Sequence, residues 1–381
     1  KSRGLGDVYK RQTLDDLNRH IPLKEKLISA HRALKKTLPF IVRVAVAIYD
    51  PGTRVLKTFI HSSENESPLE NYQSLLDDSP SLKKIIDRGL PRVINNMVTI
   101  DDGSKEHTRR IGRAGYSASY TMPIFNDGEF LGFIFFNSLE ADVFNEKTLS
   151  QVDIFGHIIS LMIIKELSTI KALAAALKTT GKIAHIRDPE TGSHLDRMSR
   201  YSRLIASALA DKYGLKDDYI EHIFMFSPLH DIGKIGIPDE ILMKPGKLDQ
   251  AEMEVMKSHA VKGREIVDEI LGNFGLDGIE YVDVLRNIAA YHHEAINGTG
   301  YPSGKSGQDI PLEARIIAVA DVFDALTSQR PYKEAWTNES AFEWLKQLAG
   351  EKLDLDCVNA LLDNIEEVEK IQQRFKENYF G

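Results

Sequence analysis

The chain has 381 residues, of which 42% are hydrophobic, so it is long enough for two ordinary domains that each bury a core. Its 56 acidic residues exceed its 48 Lys and Arg residues, and the net charge of -8 argues against a broad surface for a nucleic-acid polymer. The single cysteine, Cys357, excludes an internal disulfide, and no apolar run reaches the roughly 18 residues that span a bilayer. Because no secretory signal is visible either, we predict a cytoplasmic protein without membrane insertion.

Residues 1–12 differ from the rest of the chain because they are basic, contain glycine and lack apolar periodicity. We predict a disordered extension or an expression scar that takes no part in the fold. The first predicted domain is residues 20–150.

Residues 20–150 combine a helix pattern with β-rich runs, which predicts an α+β domain. Two pairs of runs predict hairpins, residues 41–49 with 54–60 and residues 120–125 with 130–137. The second pair flanks Asn126-Asp127-Gly128, whose residue types suit the positive φ angles of a tight hairpin turn. We therefore expect an antiparallel sheet with helices on one side.

This order of helix, paired strands and final hairpin resembles the GAF sensory domain family. The resemblance implies a sensor domain that binds an unknown small ligand or none. The histidines of this part of the chain are scattered, so we propose no haem.

Residues 151–181 predict one long amphipathic linker helix, because apolar residues recur at steps of three or four. This stripe consists of Val152, Phe155, Ile159, Ile163, Leu167, Ile170, Leu173 and Leu177. It either closes the core of the first domain or forms a parallel two-helix seam that makes a homodimer and transmits a signal. We carry the homodimer through the linker helix forward as a prediction.

Residues 182–375 read as an all-α domain. The predicted helices are residues 196–213, 219–229, 250–270, 281–292, 312–328 and 339–349, with loops at 272–278 and 297–307.

Seven of the twelve histidines lie between positions 185 and 293. Single helical histidines are mostly structural, and we place His185 and His222 in that class. Two adjacent pairs are different: His230-Asp231 and His292-His293 offer imidazole nitrogens and a carboxylate that divalent metals bind.

Four further residues join these pairs. Glu190 and His194 are spaced four apart, which places them on one face of a helix. Asp321 sits in a strongly apolar stretch, where a carboxylate is costly to bury unless it is paired or bound to a metal. His259 is a weak candidate ligand by itself, and only its occurrence with the other candidates supports it.

These residues resemble the HD-GYP family of the HD metal-dependent phosphohydrolase superfamily over about residues 183–333. The matching segments are residues 230–234 (HDIGK), 292–294 (HHE), 300–302 (GYP) and 321–333 (DVFDALTSQRPYK), in the order of the family. The resemblance implies hydrolysis of cyclic di-GMP to linear pGpG and/or GMP, with two or three divalent metal ions, most often iron or manganese.

The resemblance also implies roles for individual residues. One metal takes His194, His230, Asp231 and Asp321, and the second takes Asp231, His259, His292 and His293. Glu190 occupies the position that contributes to a third metal in part of the family. The residues at nucleotide-contacting or nucleotide-orienting positions are Lys234, Tyr301, Asp324, Arg330 and Lys333, and catalysis is assigned to Asp231 and Lys234.

Residues 295–297 (Ala-Ile-Asn) depart from the family, which commonly has a basic, an aromatic and a small polar residue there. The change concerns loop packing or substrate stacking rather than metal binding. Two alternatives to a cyclic di-GMP phosphodiesterase stay open: a catalytically weak cyclic-dinucleotide receptor, and a phosphodiesterase for another cyclic dinucleotide.

Overall fold

A computed structural model describes residues 17, 19, 21–64, 68–97, 110–111, 113–184, 192–276, 280–329 and 335–376, with the backbone alone at 174, 176–184 and 192. The chain divides into two compact units, residues 1–169 and 170–381. The prediction for residues 1–12 lies outside the described residues.

The N-terminal unit is built on an antiparallel sheet. Among its described residues, six strands follow the order β3-β2-β1-β6-β5-β4. The elements in chain order are α1 (Leu23–Lys35), β1 (Ile41–Asp50), β2 (Val55–Ser63), β3 (Gln73–Leu75), α2 (Pro80–Arg88), β4 (Arg92–Ile94), β5 (Ala118–Asn126), β6 (Glu129–Ser138) and α3 (Glu146–Ala184). Both predicted hairpins are present, as β1-β2 and β5-β6.

The turn of the second hairpin follows from its residues. Asn126 pairs with Glu129, so Asp127 and Gly128 form a two-residue loop, with φ angles of 49° and 84°. Consecutive positive φ angles match the twist of the flanking strands, and Asp-Gly adopts them at low cost.

Helices cover both faces of the sheet, so the prediction of helices on one side alone was wrong. On one face, the Tyr120 hydroxyl donates to Asp153 of α3 over 2.8 Å. On the other face, Leu82 and Ile85 of α2 pack in one cluster with Ala47 and Phe133. The short helix α2 was not predicted, although Pro80 at its start is a residue favoured at the first helical position.

The long helix α3 buries most of the predicted apolar stripe within the chain, while Phe155 is partly buried and the side chain of Leu177 lies outside the described part. Val152, Ile159 and Ile163 are fully buried, while Ile170 and Leu173 belong to the core of the C-terminal unit. A side chain that is already packed inside its own chain cannot also line a two-helix seam. The described part of the stripe therefore fits the first interpretation, closure of a core, and the homodimer through the linker helix stays a prediction.

The C-terminal unit consists of helices and short 3-10 turns in its described residues. The helices are α4 (Gly192–Ala208), α5 (Ala210–Tyr213), α6 (Asp217–Phe226), α7 (Asp239–Leu242), α8 (Gln250–Lys257), α9 (His259–Phe274), α10 (Val282–Tyr291), α11 (Leu312–Thr327), α12 (Asn338–Leu348), α13 (Leu355–Leu362) and α14 (Ile365–Arg374). The predicted α+β and all-α classes are confirmed. The predicted helix over residues 250–270 is instead two helices that meet at Ser258.

The core of this unit centres on the packing of α4 against α11. Tyr201 and Phe323 make an edge-to-face contact with ring centroids 5.2 Å apart, and Phe323 stacks on Phe342 at 5.1 Å. Burial of each such side chain contributes about 1.5–3 kcal/mol. This core fixes the two helices that carry His194 and Asp321.

No helix in the part of the chain that the structure describes is long and apolar enough to cross a bilayer.

Candidate metal centre

The turn that carries His230 and Asp231 packs tightly against the start of α9. It lies between two 3-10 turns, Ser227–Leu229 and Ile232–Gly236. A Cβ atom on Gly233 would lie 1.9 Å from the carbonyl oxygen of His259. Glycine is therefore required for the close approach that brings Asp231 to His259.

Asp231, His259, His292 and His293 form the first of two ligand groups, with donor atoms within 4.8 Å of one another. The Oδ1 atom of Asp231 lies 3.1 Å from Nε2 of His259 and 3.4 Å from Nε2 of His292. The His-His pair reaches the group because it follows directly on α10.

His194, His230 and Asp321 form the second group, also with donor atoms within 4.8 Å of one another. His230 Nε2 lies 3.3 Å from Asp231 Oδ2 and 3.9 Å from Asp321 Oδ1. The two oxygens of Asp231 thus face one group each, as a bridging ligand requires. The structure brings seven of the predicted ligands together, and Glu190 lies outside the described residues.

The hydrogen bonds of the imidazole rings fix which nitrogen faces the centre. The Nδ1 atoms of His230, His259 and His292 lie 2.9, 2.7 and 2.9 Å from the backbone carbonyl oxygens of Ser227, Met256 and Ile288. A carbonyl only accepts, so in each ring Nδ1 carries the proton and Nε2 presents a lone pair.

These lone pairs point at one another and at carboxylates. The Nε2 atoms of His259 and His292 are 3.4 Å apart. Two unprotonated nitrogens at this distance repel unless a cation lies between them and the neighbouring carboxylate. Neutral imidazole and carboxylate are the donor set of borderline divalent metals such as iron, manganese and zinc, so the residues present fit a metal centre.

Electrostatics keep the ligands in their metal-binding forms. Burial by itself raises the pKa of the Asp231 carboxyl, but Lys234 and His230 outweigh it and hold that pKa well below its usual range. Burial also lowers the pKa of His292, and burial together with His292 holds the pKa of His293 well below its ordinary value. The carboxylate is therefore charged and these two imidazoles are neutral near pH 7.

Asp324 lies behind a proposed metal ligand, and the nucleotide-contacting or nucleotide-orienting role predicted for it stays a prediction. Its side chain is fully buried and accepts from Nδ1 of His194 over 2.8 Å and from Nε of Arg197 over 2.6 Å. Burial raises the pKa of Asp324, but these two donors outweigh it and hold the pKa below its ordinary value. Asp324 thus orients His194, so that Nε2 of His194 faces the centre.

Lys234 and Tyr301 lie at the centre, and their predicted contacts with the substrate stay predictions. The Nζ atom of Lys234 is 2.8 Å from Oδ2 of Asp231. The Tyr301 ring lies 4.7 Å from the His293 ring, and burial raises its pKa, so the phenol keeps its proton near neutral pH. Arg330 and Lys333 lie outside the described residues.

The loop that carries Tyr301 is held by a buried carboxylate that sequence reasoning missed. Glu294 accepts from the backbone N–H groups of Ser303 and Lys305 over 2.7 and 3.0 Å. Ala295, at the position that departs from the family, is buried, which fits a role in loop packing. The signal in the sequence that could have identified Glu294 was its position directly after the His-His pair.

Arg197 was also missed, because on sequence it is one of several arginines in α4. It donates to both oxygens of Asp324 and to the hydroxyl of Ser328. A tertiary contact between α4 and α11 defines its role, and no local pattern encodes that contact.

A family model described as HD domain matches residues 181–357. Residues 181–357 are an HD domain. The cyclic di-GMP phosphodiesterase response regulator RpfG of Xanthomonas campestris pv. campestris is 44% identical over 211 residues, covering 55% of this chain and 51% of its own length. The 3'3'-cGAMP-specific phosphodiesterase 2 of Vibrio cholerae is 41% identical over 181 residues, or 48% of this chain and 33% of its own.

The N-terminal unit has solved structural neighbours. The GAF domain of a phosphoenolpyruvate-protein phosphotransferase from Coxiella burnetii covers 42% of this chain and 92% of its own, with 17% identity and a TM-score of 0.35. The chain spans 51% of the length of its Xanthomonas relative and 33% of that of its Vibrio relative.

Proposed function

We propose that the HD domain is a metal-dependent phosphodiesterase that hydrolyses cyclic di-GMP to linear pGpG and/or GMP. The observation that carries the proposal is the arrangement of His259 Nε2 and His292 Nε2 around the Asp231 carboxylate, with a second ligand group on its other oxygen. Two or three divalent ions, iron or manganese, complete the proposed centre. A third ion would require Glu190.

The chemistry needs a nucleophile and neutralisation of phosphate charge. Divalent ions held by the two groups would supply both, because they would lower the pKa of water and offset the charge of the phosphoryl oxygens. Asp231 holds its carboxylate between the two groups in the ionised form. Lys234 adds positive charge beside Asp231 and acts electrostatically on the phosphate. The protonated hydroxyl of Tyr301 is available to donate a hydrogen bond to the substrate.

Two residues outside the described part of the chain belong to the same proposal. Arg330 and Lys333 would bind the nucleotide phosphates, Arg330 through bidentate hydrogen bonds and Lys333 as a point charge. They would provide the local positive charge that a chain of net charge -8 otherwise lacks.

The test begins with anaerobic purification, elemental analysis and identification of the products formed from cyclic di-GMP by iron- or manganese-loaded protein. We expect pGpG or GMP, and we expect Asp231→Asn to lose both bound metal and product formation. Asp309→Asn changes an exposed carboxylate and is the matched control, so this variant should keep both its bound metal and its product formation. A folded Asp231→Asn protein with full turnover would refute the proposal.

The same assay separates the alternatives. A catalytically weak receptor would bind cyclic di-GMP and return it unchanged from metal-loaded protein. A phosphodiesterase for another cyclic dinucleotide would cleave 3'3'-cGAMP with a higher kcat/KM than cyclic di-GMP, and the name of the Vibrio relative makes this the substrate to compare.

Regulation by the N-terminal unit and a homodimer remain proposals. In the part of α3 whose side chains the structure describes, the exposed large apolar residues that could form a seam are Ile154 and Leu161, which are 60% and 66% exposed and seven residues apart. That spacing is one heptad, so both lie on one side of the helix. Leu161→Glu should convert a dimer to a monomer in light scattering, and a monomeric parent protein would end this proposal.

A further inference from the structure

The two residues that follow α14, Phe375 and Lys376, lie against the start of α4. The Nη1 atom of Arg197 donates to the backbone carbonyl of Phe375 over 3.0 Å, and the hydroxyl of Ser193 donates to the carbonyl of Lys376 over 3.1 Å. The Cζ atom of Arg200 lies 3.8 Å from the centroid of the Phe375 ring. We call residues 375–376 the bracing segment.

The bracing segment contacts one row of side chains along α4. Ser193, Arg197 and Arg200 follow one another at steps of four and three residues, and such residues are neighbours on a helix surface. The proposed metal ligand His194 lies between the first two of them in the chain. The bracing segment therefore holds the first turn of α4 at points on both sides of His194.

The core of the C-terminal unit fixes the position of the bracing segment through α14. Val368 of α14 is fully buried in that core. The side chains of Gln372 and Asn338 exchange two hydrogen bonds of 2.8 Å, which tie α14 to α12. At the end of α14 the backbone N–H of Phe375 donates to the carbonyl of Ile371 over 2.9 Å. A segment that is anchored in this way can position the side chains that it contacts.

Arg197 connects the bracing segment to the metal centre. Its Nε and Nη2 atoms donate to the two oxygens of Asp324 over 2.6 and 2.9 Å, while its Nη1 atom donates to Phe375. Asp324 in turn accepts from Nδ1 of His194 over 2.8 Å. Because the guanidinium is planar and its donors are fixed relative to one another, an acceptor on Nη1 also orients the two donors that hold Asp324.

The aromatic ring of Phe375 holds the bracing segment on α4. The ring lies over the guanidinium of Arg200, whose side chain is buried. A cation is attracted to the face of an aromatic ring, and the attraction is stronger where water is excluded. Removal of the ring therefore loosens the carbonyl that accepts from Arg197. Arg197 is itself buried, so water does not freely replace that acceptor.

We propose that Phe375 is a positioning residue of the metal centre. It holds Arg197, and through Arg197 and Asp324 it keeps the ring of His194 in the orientation that binds metal. The inference rests on the metal-dependent function proposed above and adds to it a residue that lies 181 positions from His194 in the chain. Phe375 acts through other side chains and is not a catalytic residue.

The test measures the affinity of the full-length apoprotein for manganese(II), by competition with a chelator of known affinity. Phe375→Ala should weaken manganese binding by about threefold to tenfold. Phe375→Tyr keeps the ring and should bind as the parent protein does. Phe274→Ala is the matched control, because it removes a ring that is 69% exposed at the end of α9, and it should leave the affinity unchanged. A parent-like affinity of Phe375→Ala overturns the proposal.

A double-mutant cycle tests the path through Arg197. Arg197→Lys keeps the positive charge beside Asp324 but loses the planar donors that connect Asp324 to the bracing segment. In the Arg197→Lys background, Phe375→Ala should therefore weaken manganese binding by less than about twofold. The same weakening in this background as in the parent protein would show that Phe375 does not act through Arg197, and the proposal would be wrong.

A further variant separates this role from a general loss of stability. Val368→Ala removes buried carbon from α14, so it should lower the urea midpoint at least as much as Phe375→Ala does. Its manganese affinity should nevertheless equal that of the parent under conditions where circular dichroism shows folded protein. If Val368→Ala weakens manganese binding as much as Phe375→Ala, loosening of α14 is the cause and the proposal fails.

These measurements also keep the inference distinct from the proposed function. A parent protein that binds manganese but leaves cyclic di-GMP intact refutes the phosphodiesterase alone, because the role of Phe375 is judged by manganese affinity. A parent protein that binds no divalent metal refutes both.

Discussion

The Nδ1 atom of His194 donates to the Oδ2 atom of Asp324 over 2.8 Å, and 5% and 0% of the two side chains are exposed. Asp324 is ionised here because Arg197 and His194 offset the cost of its burial. The pair therefore fixes both the ring orientation and the tautomer of a proposed metal ligand. A carboxylate behind a metal-binding histidine also raises the basicity of the ligating nitrogen.

Asp324→Asn should weaken metal binding by about 10- to 100-fold, because an amide cannot match the negative charge behind His194. The measurement is a competition titration of the apoprotein against a chelator of known affinity. Asp309→Asn serves as the exposed control. An unchanged metal affinity in a folded Asp324→Asn protein would show that the pair is structural only.

Glu294→Gln should loosen the loop that carries Tyr301, because only one oxygen remains for the N–H groups of Ser303 and Lys305. Loss of a charge-assisted hydrogen bond costs roughly 1.5–3 kcal/mol, so we expect KM for cyclic di-GMP to rise about tenfold. Metal content and kcat should change less. Steady-state kinetics of Glu294→Gln measure this effect, and Glu351→Gln, which changes an exposed side chain, is the control. A loss of bound metal without a higher KM would contradict this role of Glu294.

Gly233→Ala should destabilise the HD domain and reduce its metal content together. The added Cβ would lie 1.9 Å from the backbone oxygen of His259, so the turn must move away from α9. Overpacking of this kind costs about 1–3 kcal/mol or more. Gly272→Ala is the matched control, since nothing lies within 4 Å of its added Cβ. Urea unfolding and elemental analysis measure both effects, and equal behaviour of the two variants would refute the prediction.

Stability should fall as the pH drops, in part through His222. Burial lowers the pKa of His222 below its ordinary value, although the carbonyl of Asp218 accepts from the ring. The unfolded chain therefore binds a proton at a higher pH than the folded protein does. The free energy of unfolding decreases below about pH 6.5, by up to about 1.4 kcal/mol per pH unit for this group.

His222→Phe removes this titration while keeping an aromatic ring beside Phe226 and Tyr281. We expect the variant to show a shallower fall in the free energy of unfolding between pH 7 and pH 5 than the parent protein. Denaturant titrations across this range give the two slopes. Parallel slopes would mean that His222 does not contribute.

The predicted secondary structure agrees with the structure where the sequence carries a strong local signal. The hairpin at Asp127-Gly128 and the helix α11 were predicted to within two residues, because turn chemistry and apolar periodicity act over a few neighbours. The break at Ser258 was not foreseen. The Asp249 capping box starts α8 normally, and the polar, exposed face of α8 gives no signal of where the helix ends.

The chemistry that the C-terminal unit offers can be inferred from the sequence, because the adjacent pairs His230-Asp231 and His292-His293 are metal-binding residue types wherever they lie. Their division into two groups around Asp231 depends on tertiary packing, because the ligands come from α4, α9, α10, α11 and the Gly233 turn. The tertiary structure also decided that Asp324 acts on His194 and that the described part of the α3 stripe closes a core. Both depend on packing between distant segments, which local patterns do not encode.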